Sequence, residues 1–285
     1  MYKTILLTGI PRSGSTLSCN ILNHYSNTLA LLEPMNPSSI DANKGKYDAS
    51  LKISEFAFES RKNILENRMV LSRHNKGVIP SNPISENATK KLRKQIVKLG
   101  NIHIDKNFTN DFTLIIKQNA FFTSILDELI KFFSCYGIIR NPLAVLASWS
   151  TVNLPINNGH IPAGEKFDDE LFELLAQIEC RLDRQIIILN WFFEKFDTFL
   201  PKNNIIKYED IIEQNGHNFE RLSFNMHLDK ELDDLENKNG NKLYENVDID
   251  KLYNKLLSSK GTFWKYYSKD EITAVYQQIK EENKR

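Results

Sequence analysis

Residues 9–16, Gly9-Ile10-Pro11-Arg12-Ser13-Gly14-Ser15-Thr16, have the spacing of a phosphate-binding loop with one replacement. In G-x-x-x-x-G-K-[ST] the backbone N–H groups cradle phosphate, the lysine reaches the β- and γ-phosphates, and the terminal hydroxyl serves Mg²⁺. Ser15 stands where the lysine belongs. The N–H cradle depends on backbone geometry and survives that change, whereas transfer of a γ-phosphoryl group loses its main cation. The expectation is a loop that still holds a phosphate-like group but moves something else. Glu33, Lys117 and Arg140 each end or follow a short apolar run, at 28–32, 113–117 and 135–139. A carboxylate, an ammonium and a guanidinium so placed offer a proton acceptor, a neutralising charge and a fork for phosphate oxygens.

Those residues depend on elements that the pattern predicts. Residues 4–8 read as a buried strand, Pro11 interrupts it, and the apolar spacing of Leu17, Ile21 and Leu22 predicts a helix over 16–22. Strand, glycine loop and helix thus come in the order an anion site needs, with the helix N-terminus adding partial positive charge. Further strands are expected at 28–32, 113–117, 135–139 and 204–208. Helices are expected at 51–72, 86–99, 121–133, 142–149 and about 168–198, and Pro142 suits the first turn of its helix. Residues 35–50 and 151–167 read as loops, the latter a candidate lid. The stretch 229–250, rich in Asp, Glu, Asn and Lys, reads as a solvated surface segment. Strands alternating with helices predict an α/β fold with a central, mainly parallel sheet flanked by helices, whose ligands lie beyond the carboxyl ends of the strands.

With 285 residues, 41% of them hydrophobic, the chain can bury a sizeable core. A net charge of +1 provides no global field for nucleic acid or an acidic membrane. Cys19, Cys135 and Cys180 lack metal or redox spacing and are expected as buried free thiols. No apolar stretch approaches 18 residues, and the loop begins nine residues in, so the expectation is a soluble cytoplasmic protein. No His/Cys/Asp spacing predicts a metal site. His74, His103 and His160 lie where they could meet a substrate, while His24, His217 and His227 read as helical or surface residues.

Several segments together resemble the sulfotransferases that use 3′-phosphoadenosine 5′-phosphosulfate (PAPS). Pro11-Arg12-Ser13-Gly14-Ser15-Thr16 is similar to the family's 5′-phosphosulfate loop, in which a basic residue precedes Ser-Gly-[ST]-[ST]. Arg140, followed eight residues later by Ser148, resembles its 3′-phosphate element. Lys260-Gly261-Thr262-Phe263-Trp264-Lys265 looks like a shortened form of the C-terminal segment that closes over the nucleotide. Lys207-Tyr208-Glu209-Asp210 resembles a common Tyr-Glu-Asp segment at a late strand end. The segments keep the family's order, and the intervals 35–112 and 151–203 match nothing in it.

The resemblance implies one domain over 1–285 with the P-loop-like sulfotransferase fold, those two intervals being insertions that shape an acceptor site. It implies PAPS as donor, adenosine 3′,5′-bisphosphate as product and no metal. Arg12, Ser13, Gly14, Ser15 and Thr16 would hold the 5′ end. Arg140 and Ser148 would hold the 3′-phosphate, with Tyr208, Lys260, Gly261 and Trp264 closing on the nucleotide. Glu33 would be the base, as in the tyrosylprotein and some carbohydrate-sulfating branches, and burial would need to raise its pKa for efficient proton removal. Lys117 and Arg12 would stabilise the leaving phosphate. The cytosolic small-molecule branch has a His soon after its equivalent lysine; here Gln118-Asn119-Ala120-Phe121 follow, which favours Glu33. The acceptor would be a hydroxyl, or an amine, of a small molecule, natural product or glycan. Two other readings remain at this stage: a nucleoside or metabolite kinase with a degenerate loop, and a non-catalytic protein that binds the bisphosphate.

Overall fold

Strands β1 (Thr4–Gly9), β2 (Thr28–Leu32), β5 (Thr113–Lys117), β6 (Ser134–Ile139) and β7 (Ile205–Lys207) form one sheet in the order β2-β5-β1-β6-β7, every pair parallel. The computed structural model describes residues 3–85, 92–222, 226–229 and 232–284. Every residue of β2 and β5 is buried, as expected of parallel strands covered on both faces. The α/β expectation with a parallel central sheet therefore holds.

Between β2 and β5 the chain inserts α2 (Gly45–Asn67) and an antiparallel hairpin of β3 (Met69–His74) and β4 (Lys98–His103). The helix expected over 51–72 stops early because Arg68 takes a left-handed φ of 52°. Beyond it, burial alternates with period two, with Val70, Ser72 and His74 inward. The helix expected over 86–99 is replaced by extended chain at 92–97 and by β4; residues 86–91 lie outside the described residues. The hairpin covers the edge of the main sheet, where the Leu32 N–H donates to Ser72 Oγ at 3.0 Å.

The remaining helices are α1 (Ser15–Leu22), α3 (Ala120–Ser124), α4 (Leu126–Leu129), α5 (Pro142–Trp149), α6 (Pro162–Glu165), α7 (Asp169–Ala176), α8 (Arg181–Phe199), α9 (Tyr208–Glu213), α10 (Ile249–Ser258) and α11 (Lys269–Glu282). The helix expected over 121–133 breaks at Ile125 into α3 and α4. The one expected over 168–198 breaks before Cys180, whose extended backbone starts α8. That break leaves Cys180 exposed, whereas Cys19 and Cys135 are buried as expected. α5 starts as its sequence predicts: Pro142 is at the first turn and Asn141 caps it, accepting from the Leu143 N–H at 3.1 Å. The Trp149 indole, fully buried, donates to Pro11 O at 2.7 Å and so ties α5 to the phosphate loop.

Candidate functional site

The strand order lines up the chemistry along the carboxyl edge of the sheet. Glu33 follows β2, Lys117 ends β5, the glycine loop follows β1, Arg140 follows β6 and Tyr208 follows β7. Strands lie about 4.8 Å apart, so Glu33 and Arg140 stand roughly 14 Å apart with the loop between them. All five elements line one cavity of about 1000 Å³. Seven basic side chains line it against four acidic ones, so a chain with a net charge of only +1 concentrates positive charge here.

Within the loop, Gly14 has a φ of 89° and starts α1, leaving the first-turn N–H groups of Ser15, Thr16 and Leu17 at the cavity wall. A Cβ at Gly14 would stand 2.6 Å from Cδ2 of Tyr208. Gly14→Ala is therefore expected to cost at least about 1–2 kcal/mol through the left-handed backbone alone. A thermal melt should show Tm falling by several degrees, and a titration should show weaker anion binding. Ser13 departs from expectation: it is fully buried, and its hydroxyl donates to Ile138 O at 3.0 Å. It fastens the loop to β6 instead of offering donors to a ligand. Two non-glycine residues of the site, Arg12 (φ 71°) and Glu33 (φ 41°), hold left-handed backbone, a strain that the packed surroundings must over-determine.

One end of the cavity gathers guanidinium groups. Arg140 Nε donates to Asn239 Oδ1 at 2.7 Å and Nη1 to Arg12 O at 3.0 Å, while its guanidinium lies 4.3 Å from the centre of the Tyr208 ring. Asn239 in turn donates to Glu209, which also accepts from the Asn141 N–H and the Tyr267 hydroxyl. Arg140 Nη2 is buried with no partner among the described residues. Arg12 Nε donates to Ser148 Oγ at 3.2 Å and Nη1 to Asn82 Oδ1 at 3.2 Å. Burial, with Arg93 and Arg140 as like-charged neighbours, pushes the Arg12 guanidinium down to about 10, still fully protonated at neutral pH.

Sequence reasoning missed Arg93. It is buried in the cavity wall, its Nη2 donates to Thr151 Oγ1 at 2.6 Å, and its Nε has no partner among the described residues. It comes from the insertion that matches no motif, and only its basic character marked it. Also missed was the segment 234–245. Read as solvated, it lines the cavity with Lys238 and Lys242, because Tyr208 and Arg140 anchor it: the Tyr208 hydroxyl accepts the Lys238 N–H at 3.0 Å. Conversely, Lys260, Gly261 and Trp264 are not among the cavity-lining residues. Phe263 is buried against Phe193 of α8, Thr262 N–H donates to Asn190 of the same helix, and Trp264 donates to Ser259 O. That packing holds the segment on α8 and leaves Lys260 exposed, away from the cavity lining.

The other end carries Glu33. Its backbone N–H donates to Lys117 O at 2.8 Å, and its carboxylate accepts from Lys117 Nζ at 2.6 Å, with Arg73 Nε at 3.6 Å. Lys117 is almost wholly buried and has this carboxylate as its partner. Burial alone would push the Glu33 carboxyl up. The Lys117 charge and hydrogen bond, with Arg73 behind, more than offset it and hold the group below the usual carboxylate value. Efficient proton removal called for a raised value, and the pairing with Lys117 gives a lowered one. Of the three candidate histidines only His160 lines the cavity, its ring nitrogens bonded to Glu165 and Arg184. His74 accepts the Gly77 N–H, and His103 faces Asp105. In the 151–167 interval, Lys166 Nζ reaches across to the carbonyls of Pro37 and Ser38 at 3.1 and 3.0 Å.

Among the described residues, no group of three or more His, Cys, Asp or Glu side chains is placed to hold a metal ion, and no helix is long and apolar enough to cross a membrane. Compared with known proteins, the chain matches no family model and no curated protein.

Proposed function

We propose that this chain transfers the sulfuryl group of PAPS to a hydroxyl, or an amine, of a small acceptor. The reading is carried by one observation: a lysine-free anion loop lies between a Glu–Lys pair and a buried guanidinium with an unpartnered nitrogen, all facing one cavity. An adenylate phosphorylated at both ends fits that layout. Arg140 Nη2 and Arg93 Nε, which lack partners among the described residues, favour an anion, because a buried charged donor left unsatisfied is costly. Arg140 and Ser148 would take the 3′-phosphate, with Arg93 and Lys238 beside it. Arg12 and the N–H groups of Gly14, Ser15 and Thr16 would take the 5′ end.

When bound, the donor supplies an activated sulfuryl group and a phosphate as leaving group. Glu33, ionised at neutral pH, accepts the proton of the attacking hydroxyl. Lys117 shifts its hydrogen bond from Glu33 towards the oxygen on which charge develops. As it does so, the carboxylate loses its main counter-charge and becomes a stronger base when the proton must move. Arg12 adds a second fixed charge on the leaving phosphate.

Calorimetric titration tests the reading. Adenosine 3′,5′-bisphosphate should bind much more tightly than adenosine 5′-monophosphate, and label should pass from ³⁵S-labelled donor to an acceptor. Equal affinities, or transfer of the γ-phosphoryl group of Mg-ATP instead, would overturn it. Arg93→Ala should weaken bisphosphate binding by roughly tenfold, the order expected for a hydrogen bond to a charged group. An unchanged affinity in the same titration would remove Arg93 from the site.

A further inference from the structure

Helix α2 carries two faces. One is turned to the core, with Ile53, Ala57 and Ile64 buried. The other is apolar and exposed: Tyr47, Leu51, Phe58 and Leu65 fall within about 40° of one another around the axis, since successive residues advance by about 100°. The stripe runs for about 27 Å, from Tyr47 to Leu65. Phe132, just beyond α4, widens it: its ring lies 6.2 Å from that of Tyr47, and Lys46 pins α4 to α2 through Asp127 at 3.0 Å. Tyr47, Phe58 and Phe132 are each more than half exposed. An aromatic side chain buries about 150–250 Å² when covered, so with the two leucines the patch is on the order of 500 Å², at the upper end of what a monomer leaves uncovered.

The charges beside the stripe select what covers it. Lys44 and Asp48 lie at the start of α2, Lys62 and Glu66 near its end, and the helical period puts all four on one flank of the stripe. Their signs alternate, so the flank lacks the run of cations that suits a lipid surface. A two-fold pair of helices is self-complementary, each contact occurring twice. With two copies of α2 antiparallel and the axis passing near Glu55, Tyr47 meets the partner's Leu65, Leu51 the partner's Phe58, Lys44 the partner's Glu66 and Asp48 the partner's Lys62. One register thus joins the apolar residues of the stripe to one another and each of these four charges to its opposite. A parallel pair would set Lys44 and Glu66 each against its own copy. Glu55 comes nearest the axis, where its own Lys52, at 2.9 Å, offsets the approach of a second carboxylate. We infer that the chain is a two-fold dimer in which α2 packs antiparallel on α2 of a second copy. Two patches covered together remove on the order of 1000 Å² from water, the size at which specific interfaces begin. No residue of α2 lines the cavity, so the dimer and the sulfuryl-transfer reading stand or fall separately.

Sedimentation equilibrium on the full chain tests it. At about 10 μM the mass should be that of two chains, and Phe58→Glu, at an exposed position that leaves the core intact, should return it to that of one. The charge register gives a second readout. Lys62→Glu sets a carboxylate against the partner's Asp48, and Asp48→Lys sets an ammonium against the partner's Lys62, so each variant alone should dissociate roughly tenfold more readily than the unaltered chain. Mixed in equal amounts, the two variants regain both ion pairs in a hybrid dimer, whose dissociation constant should return to about that of the unaltered chain. Circular dichroism melts report that all three variants are folded. A chain that remains single at about 100 μM, a dimer indifferent to Phe58→Glu, or a mixture that associates no better than its components overturns the inference. So does a single chain that instead cosediments with phosphatidylcholine vesicles and loses them on Phe58→Glu, which would give the stripe to a lipid surface.

Discussion

Replacing Glu33 by Gln should lower the turnover of sulfuryl transfer by about 10²–10⁴-fold, the usual contribution of a positioned general base. Gln keeps the volume and the hydrogen bond from Lys117 but cannot take a proton, so affinity for the bisphosphate should be retained, as single-turnover rates and a parallel titration would report. The pH profile gives a second readout. The Glu33 carboxyl is held below its ordinary value by Lys117 and Arg73. A folded-state pKa below the unfolded one means that the ionised group stabilises the fold at neutral pH, and that this contribution is lost only as pH falls through the depressed value. Protonation of the base should therefore leave turnover flat between about pH 5 and 8, with the acid limb below the usual carboxylate range near 4.3. Lys117→Met removes the largest opposing charge and leaves burial to act. The acid limb should then move to higher pH, and turnover should fall because the leaving oxygen loses its cation. Identical acid limbs in the two proteins would show that the paired geometry does not govern the proton acceptor. A Glu33→Gln variant with undiminished turnover would take Glu33 out of the reaction.

How much of this could be read beforehand follows from how local each signal is. The loop, β2, β5 and the Arg140-Asn141-Pro142 turn were legible because strand, breaker and cap act within a few residues, and each side chain at a strand end inherits its place from the sheet. The order β2-β5-β1-β6-β7, which sets Glu33 on one side of the loop and Arg140 on the other, follows from parallel connections and was legible only as a fold class. The hairpin was misread because residues 69–74 continue a run compatible with helical spacing, and nothing nearby announces that Arg68 turns left-handed. The spacing of Lys260 and Trp264 suggested a clamp, but whether a segment lines a cavity depends on distant packing, here that of Phe263 against α8. The segment 234–245 shows the opposite error, since a polar composition reads as solvent-facing although these side chains cap a charged cavity. Arg93 is marked by an orphaned atom, Nε, and an orphan exists only once the packing around it is known.

Arg140→Ala should weaken adenosine 3′,5′-bisphosphate by about 30- to 4000-fold, the range for truncating one partner of a buried, hydrogen-bonded charge pair. The side chain does two jobs that this variant removes together. On the proposed reading Nη2 would take the distal phosphate, while Nη1 supports the loop through Arg12 O and the guanidinium lies on Tyr208. A comparison with adenosine 5′-monophosphate separates them. If the loss comes from the distal phosphate, the monophosphate, which lacks it, should bind the variant about as it binds the unaltered chain, and the preference for the bisphosphate should collapse. If the loss comes from a loosened loop, both nucleotides should weaken in parallel and the preference should persist. Arg140→Lys should fall between, since it keeps the charge but loses the planar fork that bonds Asn239 and Arg12 at once. Unchanged bisphosphate affinity in Arg140→Ala would mean that this guanidinium serves only the fold, and the assignment of a doubly phosphorylated donor would go with it.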